Sequence, residues 1–233
     1  MSISIKPRFI TFEGIDGCGK STQARLLNDF LFSKNIQSTV VREPGGTSIS
    51  EKVRDILLSK INTALSSRTE ALLMTASRAQ LTKEVIIPQL KSGHWVISDR
   101  YSDSTLAYQG GGRNMDINWL KTLNLFATFE IIPDLTIFLD VPAELITQRK
   151  TGYLDRFEEE GLPFLNKVRN AYIELTDSEK QRIILIDGTK EIDWIHNSII
   201  TTIEEKKTSK KVRKKALKSD QIFHFLQKNK EKK

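Results

Sequence analysis

Apolar residues gather in five short runs along the chain: Phe9–Phe12, Ser38–Arg42, His94–Ser98, Leu135–Leu139 and Arg182–Ile186. Runs of that length, bounded by polar and turn-forming residues, predict buried strands. Between them apolar positions recur three and four residues apart, as at Leu26, Leu27, Phe30 and Leu31. That spacing predicts helices around 22–33, 48–59, 68–91, 116–130, 143–150 and 163–179. Strands alternating with helices imply an α/β fold with a five-stranded parallel sheet flanked by helices in three layers. Both faces of such a sheet are covered, and its ligands bind beyond the carboxyl ends of the strands.

The polar segments after the first three strands therefore carry the chemistry. Gly14-Ile15-Asp16-Gly17-Cys18-Gly19-Lys20-Ser21 fits G-x-x-x-x-G-K-[ST], with a strand before it and a helix opening at Thr22 after it. Strand, glycine loop and helix together define a P-loop. Its glycines let backbone N–H groups close on phosphate oxygens, and the helix N-terminus adds partial positive charge. Residues Gly14, Ile15, Asp16, Gly17, Cys18, Gly19, Lys20, Ser21 and Thr22 form the expected ATP site. Lys20 would reach the β- and γ-phosphates, and the Ser21 hydroxyl would ligate Mg²⁺. The fold class is thus a P-loop NTPase type.

Composition narrows the class. No apolar run reaches 18 residues, so no membrane span is expected, and Met1–Pro7 lacks the apolar stretch of a signal peptide. One cysteine in 233 residues fits a reducing, cytoplasmic setting. The net charge of +7 belongs to the end of the chain: from Glu204 onward 12 Lys/Arg stand against 4 Asp/Glu, a balance of +8 that leaves −1 on the rest. The basic character therefore says little about the partners of the folded part.

GTPases, ATPases and small-molecule kinases share the P-loop. The N-K-x-D motif of GTPases is missing; Asn166-Lys167-Val168-Arg169 fails at its last position. The length suits a small kinase. Arg42 and Arg100 stand at strand ends, and Arg54 and Arg78 on helices that begin at the same sheet edge. Each arginine alone would read as a surface residue. Together they predict a second phosphate held opposite the P-loop, since guanidinium groups bind phosphate oxygens in pairs and stay charged.

Residues 8 to about 205 resemble the bacterial thymidylate kinases. The matching pieces are Phe12-Glu13-Gly14-Ile15-Asp16-Gly17, Arg42-Glu43-Pro44-Gly45-Gly46-Thr47, Ser77-Arg78-Ala79-Gln80, Asp99-Arg100-Tyr101, Ser104 to Arg113, Pro133-Asp134-Leu135-Thr136 and Leu154-Asp155-Arg156. The resemblance implies ATP + dTMP → ADP + dTDP in a homodimer. It implies that Arg54 and Arg100 hold the dTMP phosphate and that Arg78 bonds thymine O4. Thr105 and Gln109 would contact the base edge, and Tyr108 would exclude a ribose 2′-OH. Asp16 and Glu43 would lie near the sugar 3′-OH, and Asp99 would support Mg²⁺. Gly17 stands where one subtype has a P-loop arginine. That implies the subtype whose lid, here about 149–160, supplies the cation; Arg149 and Arg156, with Lys150, are the candidates over the triphosphate. The rival readings are a kinase for dUMP or dCMP, and a nucleotide- or nucleic-acid-binding protein without turnover. Intact Lys20, Ser21, Asp99 and Arg100 argue against the second.

Met74, four residues before Arg78, stands where the family usually stacks a phenylalanine on thymine; it is read either as a weaker base contact or as core. Cys18, beside Lys20 and a helix N-terminus, is read as a small residue tolerated in the loop, the alternative being a reactive thiol of lowered pKa. His94, His196 and His224 have no metal-ligand spacing. The domain is expected over 1–205, followed by a basic extension over 206–233. Three readings of the extension stand: a solvated, disordered or partly helical tail; a nucleic-acid or anionic-surface contact; and packing on a partner subunit through Phe223, Phe225 and Leu226.

Overall fold

The computed structural model describes residues 8–62, 64–149 and 156–208. Five strands form one all-parallel sheet: β1 (Phe9–Glu13), β2 (Ser38–Arg42), β3 (Trp95–Asp99), β4 (Leu135–Asp140) and β5 (Ile183–Asp187). The order is β2-β3-β1-β4-β5. In register, Phe9 stands opposite Val96 and Ile10 opposite Leu135. All five residues of β1 are buried, as a strand covered on both faces requires. On one face Phe9, Val41, Val96 and Tyr101 pack with Leu81 and Ile86; elsewhere Phe138 stacks on Tyr172, with ring centroids 5.1 Å apart.

The helices are α1 (Lys20–Ser33), α2 (Ser48–Leu58), α3 (Ser67–Leu81), α4 (Ile87–Lys91), α5 (Ser102–Thr105), α6 (Ile117–Ala127), α7 (Ala143–Arg149), α8 (Gly161–Ser178) and α9 (Ile192–Thr208). Side-chain oxygens set three of their starts. Thr47, Ser66 and Asp116 accept from the backbone N–H of Ser50, Thr69 and Trp119 and cap α2, α3 and α6. Thr47 closes the Arg42–Thr47 turn, so this cap also aims α2 and its Arg54 from the sheet edge.

Three elements depart from the pattern read in the sequence. The helix expected over 68–91 is broken by a π-helical turn, Thr82–Ile86. Pro88, at the start of α4, lacks an N–H and would crowd the carbonyl of Glu84 in an unbroken α-helix; the wider turn relieves both. The sequence pattern predicts no helix after 179, yet α9 spans Ile192–Thr208. The chain divides into two compact units, Met1–Ser198 and Ile199–Lys233; residues 209–233, including the proposed contacts Phe223, Phe225 and Leu226, lie outside the described residues.

The third departure matters for function. Ser102–Gly112 is helical, α5 running into a π-helical stretch, Leu106–Gly112. Gly110, Gly111 and Gly112 look like turn residues in the sequence but serve close packing. A Cβ on Gly111 would lie 2.4 Å from Ala171 Cβ and 3.2 Å from the Lys167 carbonyl oxygen, both on α8. We expect Gly111→Ala to push this stretch, which carries Tyr108 and Gln109, off α8. Overpacking of this kind costs about 1–3 kcal/mol. For a chain of this size that lowers Tm by roughly 3–10 °C. Thermal denaturation checks it; an unchanged Tm would mean that α8 moves at no cost.

Candidate active site

One cleft of about 420 Å³ opens over the carboxyl ends of β1 and β3. On one side it is lined by Asp16, Gly17, Gly19, Lys20, Ser21 and Thr22 of the P-loop. At Gly14 the chain turns with φ 139°, and a Cβ would sit 2.7 Å from both Cys18 Sγ and the Leu139 carbonyl oxygen, so only glycine fits. Lys20, 5% exposed, donates from Nζ to the carbonyls of Gly14 (3.1 Å) and Ile15 (2.9 Å). The Ser21 hydroxyl donates to Asp99 Oδ2 at 2.5 Å. That places two hard oxygen donors from α1 and β3 side by side in the cleft, a donor set that suits Mg²⁺ completed by phosphates and water.

Cys18 follows the first of its two readings. Its thiol is buried, and burial pushes its pKa up, against the opposing pull of Lys20 and Arg100. Desolvation outweighs the neighbouring cations, so Cys18 is a small apolar residue of the loop and not an activated thiol.

The cleft is also lined by Arg54, Arg78 and Arg100. Arg100 adopts φ 73°, an uncommon backbone for a side chain with Cβ, held by its N–H to the Phe12 carbonyl at 2.9 Å. Its guanidinium donates to Asp16 Oδ1 (2.7 Å), Tyr108 OH (2.8 Å), Ser104 Oγ (3.2 Å) and Tyr172 OH (3.3 Å), and lies 4.8 Å over the Tyr108 ring. Burial alone would lower its pKa, but Asp16 and then Tyr108, Tyr172 and Glu13 more than offset this, and it stays charged. Arg54 donates to the Pro44 carbonyl at 2.8 Å, which ties α2 to the turn.

Glu13 underlies this arrangement. Fully buried, it accepts from the Tyr101 N–H (2.8 Å), Ser104 Oγ (2.6 Å) and Tyr172 OH (2.6 Å). Burial, and then Asp103, pushes its carboxyl above the usual range, with Arg100 opposing. Ser104 and Tyr172 thus bridge Glu13 to Arg100.

Arg78, 1% exposed, uses four of its five N–H groups: Nε to Glu43 (2.7 Å), Nη1 to Thr105 Oγ1 and Asn124 Oδ1 (2.7 Å each), and Nη2 to the Tyr101 carbonyl (2.9 Å). Among the described residues one Nη2 hydrogen has no partner, and Arg78 lines the cleft with Met74, Thr105, Gln109, Tyr108, Glu43 and Phe157. Glu43 is buried and its Oε1 has no hydrogen-bond partner among the described residues. Burial, partly offset by Arg78, raises its pKa to about 7.

That shift predicts a stability change with pH. The folded pKa lies above the ordinary carboxylate value, so the folded state holds the proton more tightly than the unfolded chain. The contribution is complete below pH 4.5 and is lost as pH rises through about 7. Glu43→Gln lacks this titration. We expect the stability of the native protein relative to the variant to fall by about 3 kcal/mol between pH 4.5 and 8. Urea unfolding at both pH values checks it; parallel pH dependence would overturn it.

The expected site residues come together with exceptions. Gly14, Ile15 and Cys18 shape the loop without lining the cleft. The Arg149 side chain, and Lys150 with the rest of 150–155, lie outside the described residues. Arg156 is not where it was expected: its Nη1 pairs with Glu70 at 2.7 Å and its Nε donates to the Leu57 carbonyl at 2.9 Å, and it is not among the lining residues. Glu13, Ser104, Asn124, Phe157 and Tyr172 were missed as site residues. A signal existed for Glu13, which directly precedes the P-loop. His94 meets Gln89, and His196 packs edge-on against Phe30.

A P-loop with a magnesium-type donor pair, sharing one cleft with three arginines of which Arg78 is buried, defines a P-loop kinase acting on a small phosphorylated acceptor. The comparisons specify it. The sequence model of the thymidylate kinase family matches residues 12–199. The thymidylate kinase of Thermosipho africanus is 49% identical over 198 residues, covering 84% of this chain and 98% of that protein. That of Thermosipho melanesiensis is 47% identical over 197 residues, covering 84% and 97%. The crystal structure of the Ehrlichia chaffeensis thymidylate kinase, 31% identical, matches with a TM-score of 0.70 over 85% of this chain and 99% of that one. The chain belongs to the thymidylate kinase family.

Proposed function

We infer that this chain transfers the γ-phosphoryl group of ATP to dTMP, giving ADP and dTDP. The observation that carries the reading is the one cleft lined by Lys20, Ser21 and Asp99 together with Arg54, Arg78 and Arg100. A phosphate oxygen of dTMP attacks the γ-phosphorus, and the bond from that phosphorus to the β,γ-bridging oxygen breaks. ADP leaves with the electron pair. The acceptor is already anionic, so no side chain need remove a proton. Catalysis rests on alignment and on neutralising charge.

Lys20 would leave its loop carbonyls for the β- and γ-phosphates. Arg100 and Arg54 hold the acceptor phosphate, and Arg149 is the arginine we propose over the triphosphate. Ser21 and Asp99 would hold Mg²⁺, which neutralises phosphate charge when bound. The remaining Nη2 hydrogen of Arg78 suits a base carbonyl. The orphan Oε1 of Glu43, with Asp16, suits a sugar hydroxyl. Tyr108, fixed by Arg100 and by its own bond to Asp16 (3.1 Å), narrows the space beside the sugar.

Met74 lines the cleft four residues from Arg78 and offers a thioether where an aromatic ring would stack. We expect Met74→Phe to bind dTMP about threefold more tightly by calorimetry; unchanged or weaker binding would make Met74 plain packing.

A homodimer is proposed on the apolar surface left by α6 and its neighbours: Phe126 is 84% exposed, and Leu72, Trp119, Phe129 and Ile132 are exposed beside it in the sequence or on α3. Sedimentation of a monomer at micromolar concentration would remove that proposal. Among the described residues no helix is long and apolar enough to cross a membrane, and a cytoplasmic location is proposed.

The test is ADP release from Mg-ATP with dTMP, dUMP, dCMP, the ribonucleotide of thymine, or buffer. Strong preference for dTMP is expected. Equal rates with dUMP would point to a relaxed base site at Met74. No turnover from folded, ATP-binding protein would overturn the reading.

A further inference from the structure

Glu70 is the other buried carboxylate next to the cleft, and nothing in the phosphate chemistry uses it. It sits in the first turn of α3, 1% exposed. Its Oε1 accepts from Gln109 Nε2 at 2.9 Å and from Arg113 Nε at 3.3 Å. Its Oε2 accepts from Arg113 Nη2 at 3.2 Å and pairs with Arg156 Nη1 at 2.7 Å. One carboxylate thus joins three segments distant in sequence: α3, the Leu106–Gly112 stretch with Arg113 after it, and the turn before α8.

Two of these attachments reach the cleft. Gln109 lines it directly. Arg156 reaches it through its neighbour: its guanidinium lies 4.5 Å from the centre of the Phe157 ring, and Phe157 lines the cleft. Phe157 in turn packs edge-on against Tyr108 at 5.9 Å, the ring under Arg100. The same turn is tied down twice more, by Glu159 to Lys60 at 2.6 Å and by Glu160 to Arg113 at 2.5 Å. Ion pairs among side chains this buried are costly to break, because removing one partner strands the other charge. A stranded Arg156 would turn to water and take Phe157 with it.

We propose that Glu70 is a positioning residue of the acceptor site, fixing Gln109 directly and Phe157 through Arg156, and that Arg156 works as this strut and not as a phosphate ligand. The assignment rests on dTMP being the acceptor, which turnover of the unaltered protein in the same assays tests separately.

A double-mutant cycle on the full chain decides it. For Glu70→Gln and Arg156→Gln we expect KM for dTMP to rise about 10- to 30-fold, with KM for ATP within about twofold and kcat within about threefold. The double variant is expected to be no worse than Glu70→Gln alone, since that change already removes the pair. Arg156→Lys, which keeps the charge but loses the two-sided grip on Glu70 and the Leu57 carbonyl, is expected to raise KM for dTMP about fivefold with Tm preserved. It reports even if a Glu70 variant fails to fold. The proposal is overturned if Arg156→Gln or Arg156→Lys lowers kcat by about 100-fold or more or raises KM for ATP, the signature of a phosphate ligand. Additive effects in the cycle, or an unchanged KM for dTMP in Arg156→Lys, overturn it as well.

Discussion

Arg100→Lys is expected to lower kcat/KM for dTMP by about 1,000-fold, although a positive charge remains. The guanidinium meets Asp16, Tyr108, Ser104 and Tyr172 from a fixed plane. An ammonium has one nitrogen and cannot bridge four partners and an incoming phosphate. The backbone adds to the constraint. Arg100 stands at φ 73° directly after β3, an arrangement that aims its side chain back over β1. Since the guanidinium holds the acceptor phosphate in the bound state and aligns it further in the transition state, KM should rise and kcat should fall. Steady-state kinetics with varied dTMP checks this. A loss under about tenfold would mean that Arg100 orders Asp16 and Tyr108 without touching the phosphate. Truncation to methionine has a second expected result. Arg100 opposes the upward shift of the Glu13 carboxyl, so without it Glu13 holds its proton to higher pH. Arg100→Met should therefore lose more stability at pH 8, where the stranded carboxylate must be ionised or bind a proton, than at pH 5.

What could be read from the sequence and what could not divide along a physical line. Lys20, Ser21 and Gly14 belong to one continuous loop, and the order of their functions is written in their spacing. The sheet was legible for the same reason: each strand is a local run, and alternation with helices leaves few topologies. The errors arose where a residue answers to a partner far along the chain. Ser102–Gly112 shows no helical apolar period, since Gly110–Gly112 have no side chains to mark a face, but that lack of a side chain at Gly111 admits Ala171, about 60 residues later. Cys18 left two readings open because Lys20 beside it pulls its pKa down, and burial, which outweighs that pull, separates them. Glu13 and Tyr172 meet across 159 positions, and nothing near Tyr172 announces it. Arg156 was legible as a charged residue near a phosphate site. Its engagement with Glu70 depends on the folding of α3 against the turn before α8, which no local pattern encodes.

Lys20→Met should be the most damaging single change to turnover. The side chains match in length and the apolar stem is kept, so the loop should retain its shape; the variant removes the charge alone. In this structure Nζ sits 3.1 and 2.9 Å from the carbonyls of Gly14 and Ile15, within the loop that wraps the phosphates. From there a change of rotamer brings it to phosphate oxygens. Transfer proceeds with charge building on the oxygens around the moving phosphorus and on the departing ADP, so a fixed cation contributes more as the reaction advances than in the bound state. We expect kcat to fall about 100- to 1,000-fold. ATP affinity should fall less, about tenfold, because the backbone N–H groups and the α1 N-terminus still face the phosphates. KM for dTMP should stay within about threefold, since Lys20 bonds within its own loop, to the carbonyls of Gly14 and Ile15, and not to the groups that hold Arg54, Arg78 and Arg100. Lys20→Arg should also be impaired, because a 5% exposed cradle of two carbonyls fits a compact ammonium and not a planar fork. Single-turnover kinetics with saturating ATP separates these terms. A chemical step slowed less than tenfold in Lys20→Met would move the catalytic charge to the arginine wall. A collapse of dTMP binding with the chemical step intact would mean that Lys20 maintains the cleft and takes no part in transfer.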